Sequence, residues 1–222
     1  MPKTKTSGVR LAGGVQSGSR AVWLMKPGHE LPLAIPDWQQ RWAAAAGFEA
    51  KAGNFLLVPG SDGDVSCALF CAGNETPDDR LAFGKLGTSL PEGNWHFEGQ
   101  PDEPELAVLA FLCGAYRFSR YKPAKAKDIV LAVPDGIDPA RVTRIASAVG
   151  LARDLVNTPA NDMGPDAIEA AARAVAKTGR ARVKVTKGAA LERGFPMIHA
   201  VGRASTRAPN CGSRWPARSQ VS

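Results

Sequence analysis

The feature that most constrains the fold is an alternation of short apolar runs with longer helical patterns along most of the 222 residues. Strands that alternate with helices are typical of an α/β architecture, in which helices cover a sheet. The run DIVLAVP (128–134) is almost entirely apolar, as expected for a strand that is covered on both faces. The sequence therefore predicts an α/β fold.

The predicted strands are rich in apolar and β-branched residues and lie between turn formers. Besides 128–134, they are RAVWLM (20–25), Phe55–Val58, Val65–Phe70, WHFEG (95–99), ARVKVTKG (181–188) and the start of MIHAVGRAS (197–205). A Gly/Asp turn joins the second and third of these segments, which predicts a hairpin.

Prolines, N-cap residues and glycines bound the predicted helices. These are Asp37 to Gly47, DDRLAFGKLGTSL (78–90), Pro104 to a point before Pro123, Pro165 to Gly179, and AALERGF (189–195). The longest helix has Asp138 as N-cap and Pro139 at its first position, and it runs to Asn157. Its apolar residues recur at spacings of three and four, which predicts a core-facing stripe of Val142, Ile145, Val149, Ala152 and Val156.

The long helix also marks the predicted domain boundary. Residues 21–138 are predicted to form one α/β domain, 139–157 a linking helix, and 158–209 the start of a second α/β domain. Residues 1–20 are basic without the apolar stretch of a signal peptide, so we expect a frayed N-terminus. Residues 210–222 match neither domain and are interpreted as an aberrant tail.

Charge and cysteine content place few limits on function. Five of the seven excess positive charges come from Lys3, Lys5 and Arg10 near the N-terminus and Arg214 and Arg218 in the tail, so the body is not strongly basic. The four cysteines lack metal or redox spacing and are expected to be reduced. Without a run of about 18 apolar residues, we expect a cytoplasmic protein with no membrane partner.

Three segments carry a family resemblance: GAYRFSRYK (114–122), ARDLVNTPANDMGP (152–165) and FPMIHAVGRASTRAP (195–209). Together they resemble the leucyl aminopeptidase family of dinuclear-metal exopeptidases. The resemblance implies a macro-domain-like N-terminal α/β unit with a mixed sheet flanked by helices. It also implies a larger catalytic domain, two zinc or manganese ions, hexameric assembly, and release of N-terminal residues from peptides.

Within these segments the residues are interpreted as structural. Asn157 and Thr158 are expected to bond local backbone groups where the helix ends, and Asn161 and Asp162 to satisfy free amides before the next helix. His199 is expected to lie packed in a strand. Arg203 is given no catalytic role.

The catalytic segments that the resemblance implies are absent. The family places its metal ligands in segments of the form VGKGVxFDxGG and NTDAEGR, and neither occurs in the 222 residues. Lys85 lacks the acid and glycines that should follow it, Asp62 and Asp64 are interpreted as turn residues, and His29, His96 and His199 lie in unrelated segments. The sequence therefore assigns no catalytic, cofactor-binding or metal-binding residue.

The expectation is a family member truncated after Pro209 and inactive as it stands. One set of codons for Asn210–Pro216 encodes an alternating strand in another frame, so our hypothesis for the tail is a frameshift, which the gene sequence can test. The alternatives are a macro-like module that binds a nucleotide or DNA, and a subunit that forms homo-oligomers or joins a full-length paralogue.

Overall fold

A computed structural model of the chain describes residues 8–73, 80–123, 125, 127–203 and 212–214. The chain divides into two units, Met1–Ala152 and Arg153–Ser222. The division falls inside the long helix at which the sequence analysis places the boundary.

A six-stranded sheet forms the centre of the first unit. Its strands are β1 Val9–Ala12, β2 Arg20–Met25, β3 Phe55–Pro59, β4 Val65–Cys71, β5 Gly93–Glu98 and β6 Ile129–Ala132. Across the sheet their order is β1-β6-β5-β2-β4-β3. Neighbouring strands are parallel except β3 and β4, which form an antiparallel hairpin. The sheet is mixed, as predicted.

Both faces of the central strands are buried, which explains their almost continuous apolar sequence. Successive side chains of β4 point to opposite faces. Phe70 belongs to the larger core cluster, with Trp95 and Phe111, whereas Leu69 belongs to a second cluster with Val58. Two separate cores therefore hold the sheet, one on each face.

Four helices accompany this sheet: α1 Asp37–Ala45, α2 Leu86–Ser89, α3 Pro104–Gly114 and α4 Pro139–Asn157, with a short 3-10 turn, Ala82–Lys85, before α2. The helix predicted over 78–90 is therefore two short pieces within its described part. Its glycines approach the backbone of α3: a Cβ on Gly87 would overlap the carbonyl oxygen of Phe111 and lie 2.7 Å from the amide nitrogen of Ala115. Close packing against α3, rather than helix propensity, therefore determines the conformation of this segment.

The N-terminal region departs from the expectation of a frayed start. Within residues 1–20, Val9–Ala12 forms β1, which pairs in parallel with β6. Arg10, counted above among the excess charges, forms an ion pair with Asp128 at 2.7 Å. The partner strand lies more than a hundred residues away, so no local pattern could reveal this pairing.

The start of α4 follows the prediction, but its apolar stripe does not. The Asp138 carboxylate accepts a hydrogen bond from the amide of Ala140 at 2.8 Å, which is N-cap geometry. Val142 is fully buried, whereas Ala152 is exposed and Val156 is 84% exposed. The stripe therefore faces a core only along its first turns.

The second unit contains α5 Pro165–Thr178, β7 Lys184–Thr186, α6 Ala189–Gly194, α7 Pro196–Gly202 and β8 Gly212–Arg214. The strand predicted within MIHAVGRAS is wrong, because Pro196 begins a helix there. Proline at the first position has a helical φ and needs no amide donor. Within the segment 210–222, residues 212–214 form β8, which pairs antiparallel with β7. The interpretation of this segment as an aberrant tail stays a prediction.

Candidate functional site

The end of α4 carries the most recognisable motif. Thr158 is only 5% exposed, and its hydroxyl donates a hydrogen bond to the carbonyl of Asp154 at 2.6 Å. Beyond the helix, the amides of Asp162 and Met163 both donate to the carbonyl of Pro159 at 2.9 Å. The local backbone bond predicted for Thr158 is confirmed, so this residue helps the chain leave the helix and turn.

The next helix begins with glycine rather than with a capping side chain. Gly164 occupies the N-cap position of α5 and Pro165 the first turn, where Asp166 faces the positive end of the helix dipole. Asn161 and Asp162 lie in the turn before Gly164, so their bonds to free amides stay a prediction.

His199 and Arg203 lie on α7, not on a strand. His199 is half-buried, and its backbone carbonyl accepts a hydrogen bond from the amide of Arg203 at 3.1 Å. Arg203 occupies the exposed C-cap position of the helix. These contacts involve main-chain groups and give neither side chain a chemical role.

The acidic and basic residues considered as ligands have structural roles. The Asp62 carboxylate accepts a hydrogen bond from the amide of Asp64 at 3.1 Å inside the β3–β4 turn, where Gly63 has φ +85°. This confirms the interpretation of Asp62 and Asp64 as turn residues. Lys85 donates to the carbonyl of Gly53 at 2.6 Å, so its ammonium group is engaged with backbone.

A dinuclear metal centre needs several carboxylate or imidazole ligands at close range. Among the residues that the structure describes, no group of three or more His, Cys, Asp and Glu side chains is arranged to hold a metal ion. The residues in this part of the chain therefore do not fit the metal pair that the resemblance implies.

Sequence reasoning missed one polar cluster, formed by Ser19, which directly precedes β2, and by His96 and Glu98 of the neighbouring strand β5. The Ser19 hydroxyl lies 3.0 Å from Nδ1 of His96, and Nε2 of the same ring lies 3.6 Å from a Glu98 oxygen. The second distance exceeds a hydrogen bond, so the carboxylate does not orient the imidazole as in a nucleophile–base–acid relay. Ser19 and His96 are 77 positions apart, and no sequence signal brings them together.

An arginine covers the largest buried side chain of the first unit. The guanidinium carbon of Arg20 lies 4.2 Å from the ring centroid of Trp95, and the same group donates to the carbonyl of Glu92. Burial lowers the pKa of Arg20, and the nearby carboxylate of Asp64 opposes that shift. The contact is a cation–π interaction that shields the core.

An open cavity of about 400 Å³ lies at the start of α3 and is lined by Glu103, Pro104, Glu105, Leu106, Leu109 and Ile137. Its lining is mostly apolar. Each of its carboxylates has an arginine beside it: Glu105 lies 3.0 Å from Arg141, and Glu103 lies 3.8 Å from Arg80. Both carboxylates of this cavity are therefore engaged in ion pairs.

The thiols behave as the sequence predicts within the described ranges. Cys67 and Cys71 are buried, Cys113 is half-buried, and all three are free of disulfides. Burial raises the pKa of Cys67, which keeps the thiol protonated and unreactive at neutral pH. Cys211 lies outside the described residues. Over the same ranges, no helix has the length and apolar character needed to cross a membrane.

Two family models match the chain in succession. The M17 aminopeptidase N-terminal domain matches residues 34–134, and the catalytic domain of the cytosol aminopeptidase family matches residues 150–212. The chain belongs to the M17, or cytosol aminopeptidase, family. The two matches meet near the division between the structural units.

Individual relatives agree with this assignment. A probable cytosol aminopeptidase of Streptomyces coelicolor is 43% identical over 167 residues, which cover 75% of this chain and 29% of that protein. The crystal structure of the cytosol aminopeptidase from Coxiella burnetii is 32% identical with a TM-score of 0.74, and the match covers 90% of this chain and 44% of that one. The chain thus spans less than half the length of both relatives.

More distant structures share the fold alone. The bottromycin maturation enzyme BotP, solved in complex with Mn, is 22% identical with a TM-score of 0.67. The fold of this chain therefore recurs in a structure of low sequence identity.

Proposed function

We propose that this chain is the N-terminal part of a cytosolic, metal-dependent leucyl aminopeptidase and that it does not by itself release N-terminal residues from peptides. The observation that carries the proposal is a contrast within the sequence. Both domains of the family are matched in order. Neither segment in which the resemblance places the metal ligands occurs in the 222 residues.

The chemistry explains why this absence matters. A pair of metal ions acidifies a bridging water and polarises the peptide carbonyl, and several carboxylates must hold both ions. In the described part of the second unit, the carboxylate of Glu169 forms ion pairs with Arg173 and Lys187, each at 2.8 Å. No step of peptide hydrolysis is therefore assigned to residues of this chain.

The test is an aminopeptidase assay on the purified 222-residue chain. Leucine p-nitroanilide is the substrate, Mn²⁺ or Zn²⁺ is added, and a parallel sample contains a chelator. The Streptomyces coelicolor relative, prepared in the same way, controls for the assay conditions. We expect no metal-dependent turnover from this chain. Turnover that follows this chain through purification and disappears with chelator would overturn the proposal.

The other functions raised by the sequence stay predictions. If the chain is retained on DNA and this retention falls steeply as the salt concentration rises, a nucleic-acid role is favoured. Contacts to phosphates release counterions, so such binding weakens with salt. Failure to bind either DNA or ADP-ribose would count against a binding module.

A further inference from the structure

The second unit exposes large apolar side chains where a finished domain buries them. On α7, Met197 is 79% exposed and Val201 is 77% exposed, and Ile198 beside them is 49% exposed. Residues four apart in a helix lie on the same side, so these three form one surface, called the α7 face below. Large side chains of this kind are usually inside a protein.

The interior of the same unit is small. Its buried apolar residues within the described ranges are Ala171, Ala176 and Leu191. On α5 the larger apolar residues Ile168 and Val175 are 49% and 45% exposed. Leu191 is thus the one large side chain among the buried apolar residues described in this unit, and the other two are alanines, whereas larger apolar residues of α5 and α7 are outside. The unit therefore has apolar surface that lacks a covering element among the described residues.

From this arrangement we infer that the α7 face is a docking surface for the remaining catalytic-domain segment of a cytosol aminopeptidase, which binds it even when supplied as a separate chain. The inference rests on the proposed function. The match to the Coxiella burnetii enzyme supports it: the match covers 90% of this chain but only 44% of that enzyme. More than half of that relative has no counterpart here and is available to cover α7.

A second copy of this chain is the weaker occupant. The helix has seven residues and is about 10 Å long. A standard interface buries about 800 Å² on each partner, which so short a helix does not provide. The remaining segment of the same domain would contact neighbouring elements of the second unit as well as α7, so its interface is not limited to this helix.

The experiment is co-expression of the tagged chain with a probe, namely the segment of the Streptomyces coelicolor relative that follows its match to this chain. Capture of the probe is measured for the wild type, for M197K/V201K and for the control L33K, which alters an apolar residue of the first unit that is 97% exposed. We expect capture by the wild type and L33K, and at least a tenfold loss with M197K/V201K. The milder M197Q/V201T should reduce capture in the same direction.

Absence of capture by the wild type, or equal capture by all variants, would overturn the inference. Self-association that M197K/V201K abolishes, without capture of the probe, would identify a second copy as the occupant and would also overturn it. Capture does not depend on hydrolysis, so the aminopeptidase assay on the chain alone decides the proposed function separately.

Discussion

The two units differ in what their secondary structure encloses. In the first, Trp95, Phe70 and Phe111 are fully buried between a six-stranded sheet and its helices. In the second, the helices form but Met197 and Val201 remain more than three-quarters exposed. Helices and turns can thus follow from local sequence in both units, whereas only the first unit has the long-range packing that most helices need for stability.

The sheets show the same contrast. β7 and β8 have three residues each and pair only with each other among the described strands. Isolated two-stranded ribbons are marginally stable in water. The first unit should therefore unfold as a cooperative domain, and the second should open locally.

Hydrogen exchange should show the largest difference between the units. We expect amides of β4 and β6 to be at least a hundredfold more protected than those of α5 and α7, which corresponds to about 3 kcal/mol. Exchange measured by mass spectrometry on the monomeric chain provides the test. Uniform protection across 129–132 and 166–178 would contradict the comparison.

Truncation of the first core should give the next largest effect. Trp95→Ala removes a fully buried ring and its hydrogen bond to the carbonyl of Pro91 at 3.0 Å. We expect a loss of about 3–5 kcal/mol in the free energy of unfolding of the first unit, measured by urea denaturation with circular dichroism.

The matched change in the second unit is Leu191→Ala, which also removes a fully buried side chain. It should leave the unfolding midpoint of the first unit unchanged. An equal shift from both substitutions would mean that the chain unfolds as one cooperative unit.

A smaller loss is expected where two backbones meet. Gly87→Ala places a methyl group against the carbonyl oxygen of Phe111, so α3 or the segment 82–89 must move. Overpacking of this kind costs about 1–3 kcal/mol. Gly194→Ala is the control, because its Cβ would meet nothing within 4 Å. Thermal denaturation should show a lower melting temperature for Gly87→Ala and an unchanged one for Gly194→Ala.

Loss of the α4 cap should have the smallest effect. Asp138→Ala removes the acceptor for the amide of Ala140 and should cost about 1 kcal/mol. Asp138→Asn retains an acceptor and should restore most of the stability. Asp135→Ala, at an exposed position before the helix, is the control. Urea denaturation midpoints are measured for all three variants. Equal midpoints for Asp138→Ala and Asp135→Ala would refute a stabilising role for the cap.

The features predicted correctly are those with a local physical cause. Asp138 and Pro139 begin α4 because capping and a helical φ act within one turn. The β3–β4 hairpin follows from glycine and aspartate in a five-residue turn, and the matched motifs identify the family without any tertiary contact. The absence of the family's metal-binding segments was also visible in the sequence alone.

Tertiary structure decided the rest. β1 exists because β6 offers it a parallel edge far along the chain, and the helix predicted over 78–90 is broken where glycines touch α3. Ser19, just before β2, meets His96 of β5 only because these two strands are neighbours. The apolar periodicity of α4 predicts burial at both Val142 and Val156, yet only Val142 has a core to face. Periodicity states which side of a helix is apolar, and the surrounding chain determines whether anything covers it.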